Sequence, residues 1–146
     1  MADYTPVALP GQSWTFTAGS ALVGGDLVEA SASNTVAKVT ASAARAYVGV
    51  AAHDAAPGVK VTVILGRPIH ESIAEGTIAP GAQLVTSSVA GRQVKTQALS
   101  GSDVTGTPTE TTIETAIAAA ESAARGVIGI ALTSATDNNL VRWVQR

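Results

Sequence analysis

The sequence predicts a mainly β protein: a small pseudo-repeated β-barrel or sandwich of short strands, with one helix inserted near residues 108–125. Three observations carry this. Ten short runs rich in Val, Ile, Leu and Thr are separated by Gly, Pro, Asn, Asp or Ser, which is the punctuation of an all-β chain. The two halves echo each other in the order of those runs. A single stretch departs from the pattern, with helix-start residues followed by apolar residues three and four apart.

The strands fall at residues 14–17, 26–30, 36–40, 47–52, 60–65, 69–74, 83–87, 93–97, 127–132 and 140–144. Trp14-Thr15-Phe16-Thr17 alternates large apolar with polar residues, the mark of a half-buried strand. The run from Tyr47 to Ala52 is continuously apolar, as expected of a strand covered on both faces. Gly24-Gly25, Ser33-Asn34 and Pro57-Gly58 supply turns between neighbours. The helix is read over residues 108–125, with Thr107 as cap, Pro108 in the first turn and Glu110 completing a capping box. Ile113, Ile117, Ala120 and Ala124 make a narrow apolar face expected to lie on the sheet, and Gly126 is expected to close the helix with a positive φ. Residues 100–107, rich in Gly, Ser and Thr, read as an exposed loop.

Residues 1–13 read as an extended N-terminal arm, because Pro6, Pro10 and Gly11 interrupt any ladder. Tyr4, Val7 and Leu9 put apolar groups on it. It is either a frayed terminus or an arm that crosses onto a neighbouring subunit. Residues 14–146 form a single β-rich domain with half-repeats at about 14–66 and 69–146. The Leu-Val pair of Gly25-Asp26-Leu27-Val28 returns 57 residues later as Leu84-Val85. Val48-Gly49-Val50-Ala51 returns 80 residues later as Ile128-Gly129-Ile130-Ala131. The difference matches the loop and helix added to the second half. Gly49 and Gly129 inside strands point to bends or close backbone approach, as at barrel corners.

Composition narrows function. The chain has 146 residues, of which 46% are hydrophobic, only 3% aromatic and 14% charged, so its core must be built from small aliphatic side chains. A net charge of −2 gives no footprint for a phosphate backbone, and no nucleic-acid partner is expected. No apolar stretch is long enough for a membrane helix, and no basic-then-apolar start suggests a secretory signal, so no membrane partner is expected. The absence of cysteine removes disulfides, thiol nucleophiles and thiolate metal sites, and fits synthesis in a reducing cytosol.

Candidate chemistry is sparse. His53-Asp54 and His70-Glu71 are the only histidine-carboxylate pairs, at spacings that suit no metal motif, since neighbours on a strand face opposite ways. No nucleophile elbow or phosphate loop is present. Glu110, Glu114 and Glu121 read as the solvated side of the helix, while Arg67, Arg92, Arg142 and Arg146 make no basic stripe. Trp143 reads as a core anchor, and Trp14 as either core or interface. No enzyme, metal or cofactor is expected; a metal hydrolase using His53 and His70 is the weakest alternative. Tyr4, Val7, Leu9 and Trp14 are the candidate contact residues.

Tyr4-Thr5-Pro6-Val7-Ala8-Leu9-Pro10-Gly11, the Thr15-Phe16-Thr17-Ala18 strand, Val23-Gly24-Gly25-Asp26-Leu27-Val28 and Val48-Gly49-Val50-Ala51-Ala52-His53-Asp54 stand in an order that carries a resemblance. With Gly66-Arg67-Pro68-Ile69-His70 and the closing Gly129-Ile130-Ala131-Leu132-Thr133 and Val141-Arg142-Trp143-Val144, it covers nearly the whole chain. The chain resembles the small capsid decoration (cement) proteins of tailed bacteriophages, the DUF2190 family. It departs from the minimal family pattern over residues 100–125. The resemblance implies a non-enzymatic virion protein on the outer surface of the capsid. It would bridge major capsid protein subunits, stabilise the DNA-filled head and assemble as a homotrimer. The alternative is another virion surface component, such as a fibre base or a carbohydrate-binding module, although aromatic platforms for sugars are scarce.

Overall fold

A computed structural model describes residue 4 and residues 11–89, 91–98 and 109–146. All ten runs are strands. β1 (Gly11–Ala18), β2 (Leu27–Ala32), β3 (Thr35–Lys38), β4 (Tyr47–Ala51) and β5 (Lys60–Gly66) close into one barrel, in the order β1-β3-β2-β4-β5. β6 (Ile69–Glu75), β7 (Gln83–Thr86), β8 (Gln93–Thr96), β9 (Val127–Ala131) and β10 (Leu140–Gln145) close into a second, in the order β10-β6-β8-β7-β9. The two circuits are the same. In each, the first strand runs parallel to the third and antiparallel to the fifth. Closure leaves neither sheet with a full-length free edge. β1 begins at Gly11, so residues 11–13 of the expected arm belong to the first barrel, opposite Gly66, Leu65 and Ile64.

The register corrects one expectation about the repeat. Val28 pairs with Gly49, and Leu84 with Gly129. Val28 and Leu84 are therefore equivalent, a shift of 56 and not 57, and the counterpart of Leu27 is Gln83. A one-residue slip exchanges the faces of a strand, and the two faces here have different neighbours. Val28 packs inside the first barrel, whereas Leu27 belongs to the cluster that joins the barrels.

The interiors match position by position. Ala18, Leu22, Val28, Val36, Ala51, Ala55, Val61 and Val63 in the first barrel correspond to Ala74, Ile78, Leu84, Val94, Ala131, Ala135, Val141 and Trp143 in the second. The exception in size explains the tryptophan. The first barrel carries Phe16 on β1 and Val63 on β5, and the second carries Ser72 and Trp143 at those positions. The aromatic volume moves from one strand to the other, which preserves packing in barrels of equal size. Trp143 is fully buried, and its indole N–H donates to the Ser72 hydroxyl at 2.9 Å.

Gly49 and Gly129 carry the same constraint twice. A Cβ at either would press on the carbonyl oxygen of the facing fifth strand, Ile64 in one barrel and Val144 in the other. Each glycine lies beside a register shift in its second strand, where the ladder bends and the backbones close up.

The helix departs from expectation in three ways. α1 spans Glu110–Arg125, and its cap is Thr109, whose carbonyl accepts from the N–H groups of Thr112 and Ile113. Thr107 and Pro108 lie outside the described residues, as does the expected loop over 100–107. Gly126 has no positive φ. It is small because a Cβ there would collide with Ala43. The apolar face does not lie on a sheet: Ile113 is 44% exposed and Ile117 56%. Among the described residues, no helix is long and apolar enough to cross a membrane.

Candidate interaction surface

Both histidines are bonded into the fold through both ring nitrogens. His53 lies two residues past β4, with Nδ1–H donating to the Asp54 carbonyl at 3.0 Å and Nε2 accepting the Thr62 N–H at 3.1 Å. Asp54 accepts the Gly24 N–H at 2.8 Å. In the second barrel Thr133 takes the place of His53 and accepts the Arg142 N–H at 3.0 Å, so the position is a strand-end acceptor whatever residue fills it. Among the described residues no three His, Asp or Glu side chains gather as a metal-ligand set. Two clefts, of about 230 Å³ beside Ser42 and Lys95 and about 150 Å³ beside Tyr4 and Arg92, are below the size usual for small-molecule sites.

His70 instead closes one end of the second barrel. It follows the inward alternation of β6 and is fully buried, its ring 5.1 Å from Trp143 on one side and 5.7 Å from Tyr4, which stacks on it. Its Nε2–H donates to the Gln145 amide oxygen at 3.0 Å, and Nδ1 accepts the Tyr4 hydroxyl at 2.8 Å. The Tyr47 hydroxyl reaches Gln145 from the first barrel, also at 3.0 Å. Burial pulls the His70 pKa down to about 4, against a smaller upward effect of the Gln145 bond, so the ring is neutral at pH 7. Burial likewise pushes the Tyr4 hydroxyl up to about 12 and raises Tyr47.

A charged cluster also ties the two barrels together, with its Arg92 beside Tyr4 at Gly25. Asp26, almost wholly buried, accepts the Val23 N–H at 2.8 Å and pairs with Lys38 at 2.9 Å and with Arg92 of the second barrel at 3.6 Å. Arg92 also donates to the Gly24 carbonyl. In the sequence Arg92 is one of several scattered arginines, and no local pattern singles out Asp26, Lys38, Tyr47 or Gln145. One signal was available: the counterpart of Asp26 is Ala82, and a charge that breaks a repeat marks a position used once. Arg142 pairs with Glu71 at 2.7 Å across β10 and β6, at the surface.

Of the four candidate contact residues, the structure describes two. Tyr4 is turned inward onto His70, and the Glu71 N–H donates to its hydroxyl at 3.3 Å. Val7 and Leu9 lie outside the described residues. Trp14 is 62% exposed. Its counterpart in the second barrel is His70, since Trp14 faces Val63 as His70 faces Trp143. The same end of each barrel is thus finished in opposite ways. In the second barrel it is polar, with His70 and Gln145, and buried under Tyr4 and Tyr47. In the first it is apolar, with Trp14, Phe16, Val48 and Leu65, and open.

Solved structures share this fold, and one does so along nearly its whole length. The head fibre gp8.5 N base of bacteriophage phi29 superposes with a TM-score of 0.55 at 20% identity, covering 94% of this chain and 95% of that one. The likeness shows the fold. No family model matches the chain, so membership of the DUF2190 family is not supported. No curated protein matches it either.

Proposed function

We propose that this chain is a structural component of a bacteriophage head, displayed on the outer surface of the capsid. There it binds major capsid protein, bridges its subunits as a homotrimer and braces the DNA-filled shell, without catalysis or cofactor. The observation that carries the reading is the end-to-end likeness to the base of a phage head fibre. The physics suits the role. Two closed barrels resist edge-to-edge aggregation, and repeated weak contacts to a symmetric lattice sum to firm attachment.

A second reading, the base of a head fibre, is favoured by that same structural relative. The two differ in occupancy: a decoration protein coats the lattice, whereas a fibre base stands at chosen positions. The test is co-sedimentation of purified protein with heads that lack it, followed by counting copies per head. Saturable binding near one copy for every few capsid subunits supports decoration, and sparse saturable binding supports the fibre base. No binding to heads overturns both.

A further inference from the structure

The two barrels are copies, so the covered end of one shows what the open end of the other lacks. Three equivalent pairs define that end. His70, Gln145 and Ile128 are buried in the second barrel; Trp14, Leu65 and Val48, in the same positions of the first, are exposed or half-buried. In two of the three pairs exposure runs against chemistry: polar His70 and Gln145 are covered, while apolar Trp14 and Leu65 meet water. A contiguous apolar patch left open at a barrel mouth marks an interaction site.

The covered mouth also shows which element does the covering. Tyr4 and Tyr47, the first residue of β4, close it over His70 and Gln145, and the β3–β4 connection of the first barrel packs alongside, at Gly126 and Thr86. The Ala43 and Ala44 N–H groups donate to Thr86 there, and Tyr47 donates to Gln145. The corresponding connection in the second barrel, between β8 and β9, is the one that carries α1. Ile113 and Ile117, one turn apart on that helix, are exposed. Glu110, Glu114 and Glu121 lie along the same side by helical spacing, next to the apolar pair. Arg67, exposed, follows Gly66, the residue opposite Gly11 at the end of β5, and so stands at the open mouth.

We propose that the open mouth of the first barrel, formed by Trp14, Phe16, Val48 and Leu65, receives helix α1 of a second copy of this chain, with Ile113 and Ile117 seated on Trp14. Each copy then offers a mouth and a helix, so the contact is head-to-tail and closes only as a ring. One such contact is small, and ring closure makes several act together. Glu110 and Glu114 of the incoming helix meet Arg67 at the rim. This deepens the self-association in the proposed function and rests on it, but does not depend on what the ring binds.

The chain has no cysteine, so introduced ones report contacts directly. Trp14→Cys and Ile117→Cys proteins are prepared separately, mixed and oxidised. A disulfide-linked pair that forms in the mixture but in neither protein alone is the expected result. Light scattering should read a multiple of 14.6 kDa for the unaltered chain, and 14.6 kDa for Ile113→Glu/Ile117→Glu with its circular dichroism unchanged. Four results overturn the proposal. Trp14→Cys linking to itself shows a two-fold contact. An internal disulfide in Trp14→Cys/Ile117→Cys at high dilution shows the helix covering its own barrel. An oligomer that survives the glutamates uses other surfaces, and self-association then stands without this contact. An unaltered chain that is monomeric at every concentration removes self-association itself, while head binding is read separately by co-sedimentation.

Discussion

Acidification should loosen the seam at His70. The folded ring titrates near pH 4 because it is buried, whereas in the unfolded chain it titrates near the ordinary value of about 6.5. Between these values the unfolded state carries more protons, so stability is fully present above about pH 6.5 and is lost as pH falls toward 4. At about 1.4 kcal/mol per unit, the whole shift corresponds to about 3 kcal/mol, of which about 2 kcal/mol is gone by pH 5. The geometry gives the same sign. A proton on Nδ1 would point an N–H at the Tyr4 oxygen, which now donates to that nitrogen. Urea unfolding at pH 7, 6 and 5, followed by indole fluorescence, measures the loss, because Trp143 adjoins the His70 ring. The control is His70→Gln, which shares every carboxylate with the unaltered chain. The stability gap between the two should narrow by about 2 kcal/mol from pH 7 to pH 5. A gap that does not change with pH would mean that His70 is not held neutral by its burial.

Other substitutions test separate links. Gly129→Ala and Gly49→Ala should each cost about 1–3 kcal/mol in urea unfolding, because each Cβ meets a facing carbonyl; similar losses in both would confirm that the repeat is structural. Asn138 has φ of 61° where its counterpart Gly58 has 83°. Asn138→Gly should therefore change the melting free energy by less than about 0.5 kcal/mol, and Asn138→Val should lower it by about 1–2 kcal/mol. Asp26→Ala should cost about 1–2 kcal/mol, since Lys38 and Arg92 can turn to water. Lys38→Met/Arg92→Met strands a buried carboxylate, and should cost about 3–5 kcal/mol in the same assay.

Much of this architecture is written in single residues. The ten strands were legible because Gly, Pro, Asn and Asp punctuate β-branched runs, and the repeat because Gly49 and Gly129 must both be small. Register was not legible to the residue: Leu27-Val28 and Leu84-Val85 are the same letters in frames that differ by one, and only the neighbours of each face distinguish them. The division into two barrels with separate interiors was hidden for the same reason. The helix start was misplaced because Thr107 and Thr109 are equally good caps on paper. Its apolar stripe was assigned to the sheet because an amphipathic pattern states that a face is to be covered, not by what. The seam was the least visible part. Tyr4, His70, Tyr47 and Gln145 are far apart in sequence, and a buried histidine bonded at both nitrogens looks no different in the chain from a ligand.

Whether this chain sits on the outside of the head is decided by imaging the particle. Heads reconstituted with and without the protein are compared by electron cryomicroscopy. Added density is expected outside the capsid shell, resting on major capsid protein, and the two-barrel chain should fit it. Identical maps, or density found only inside the shell, would contradict it.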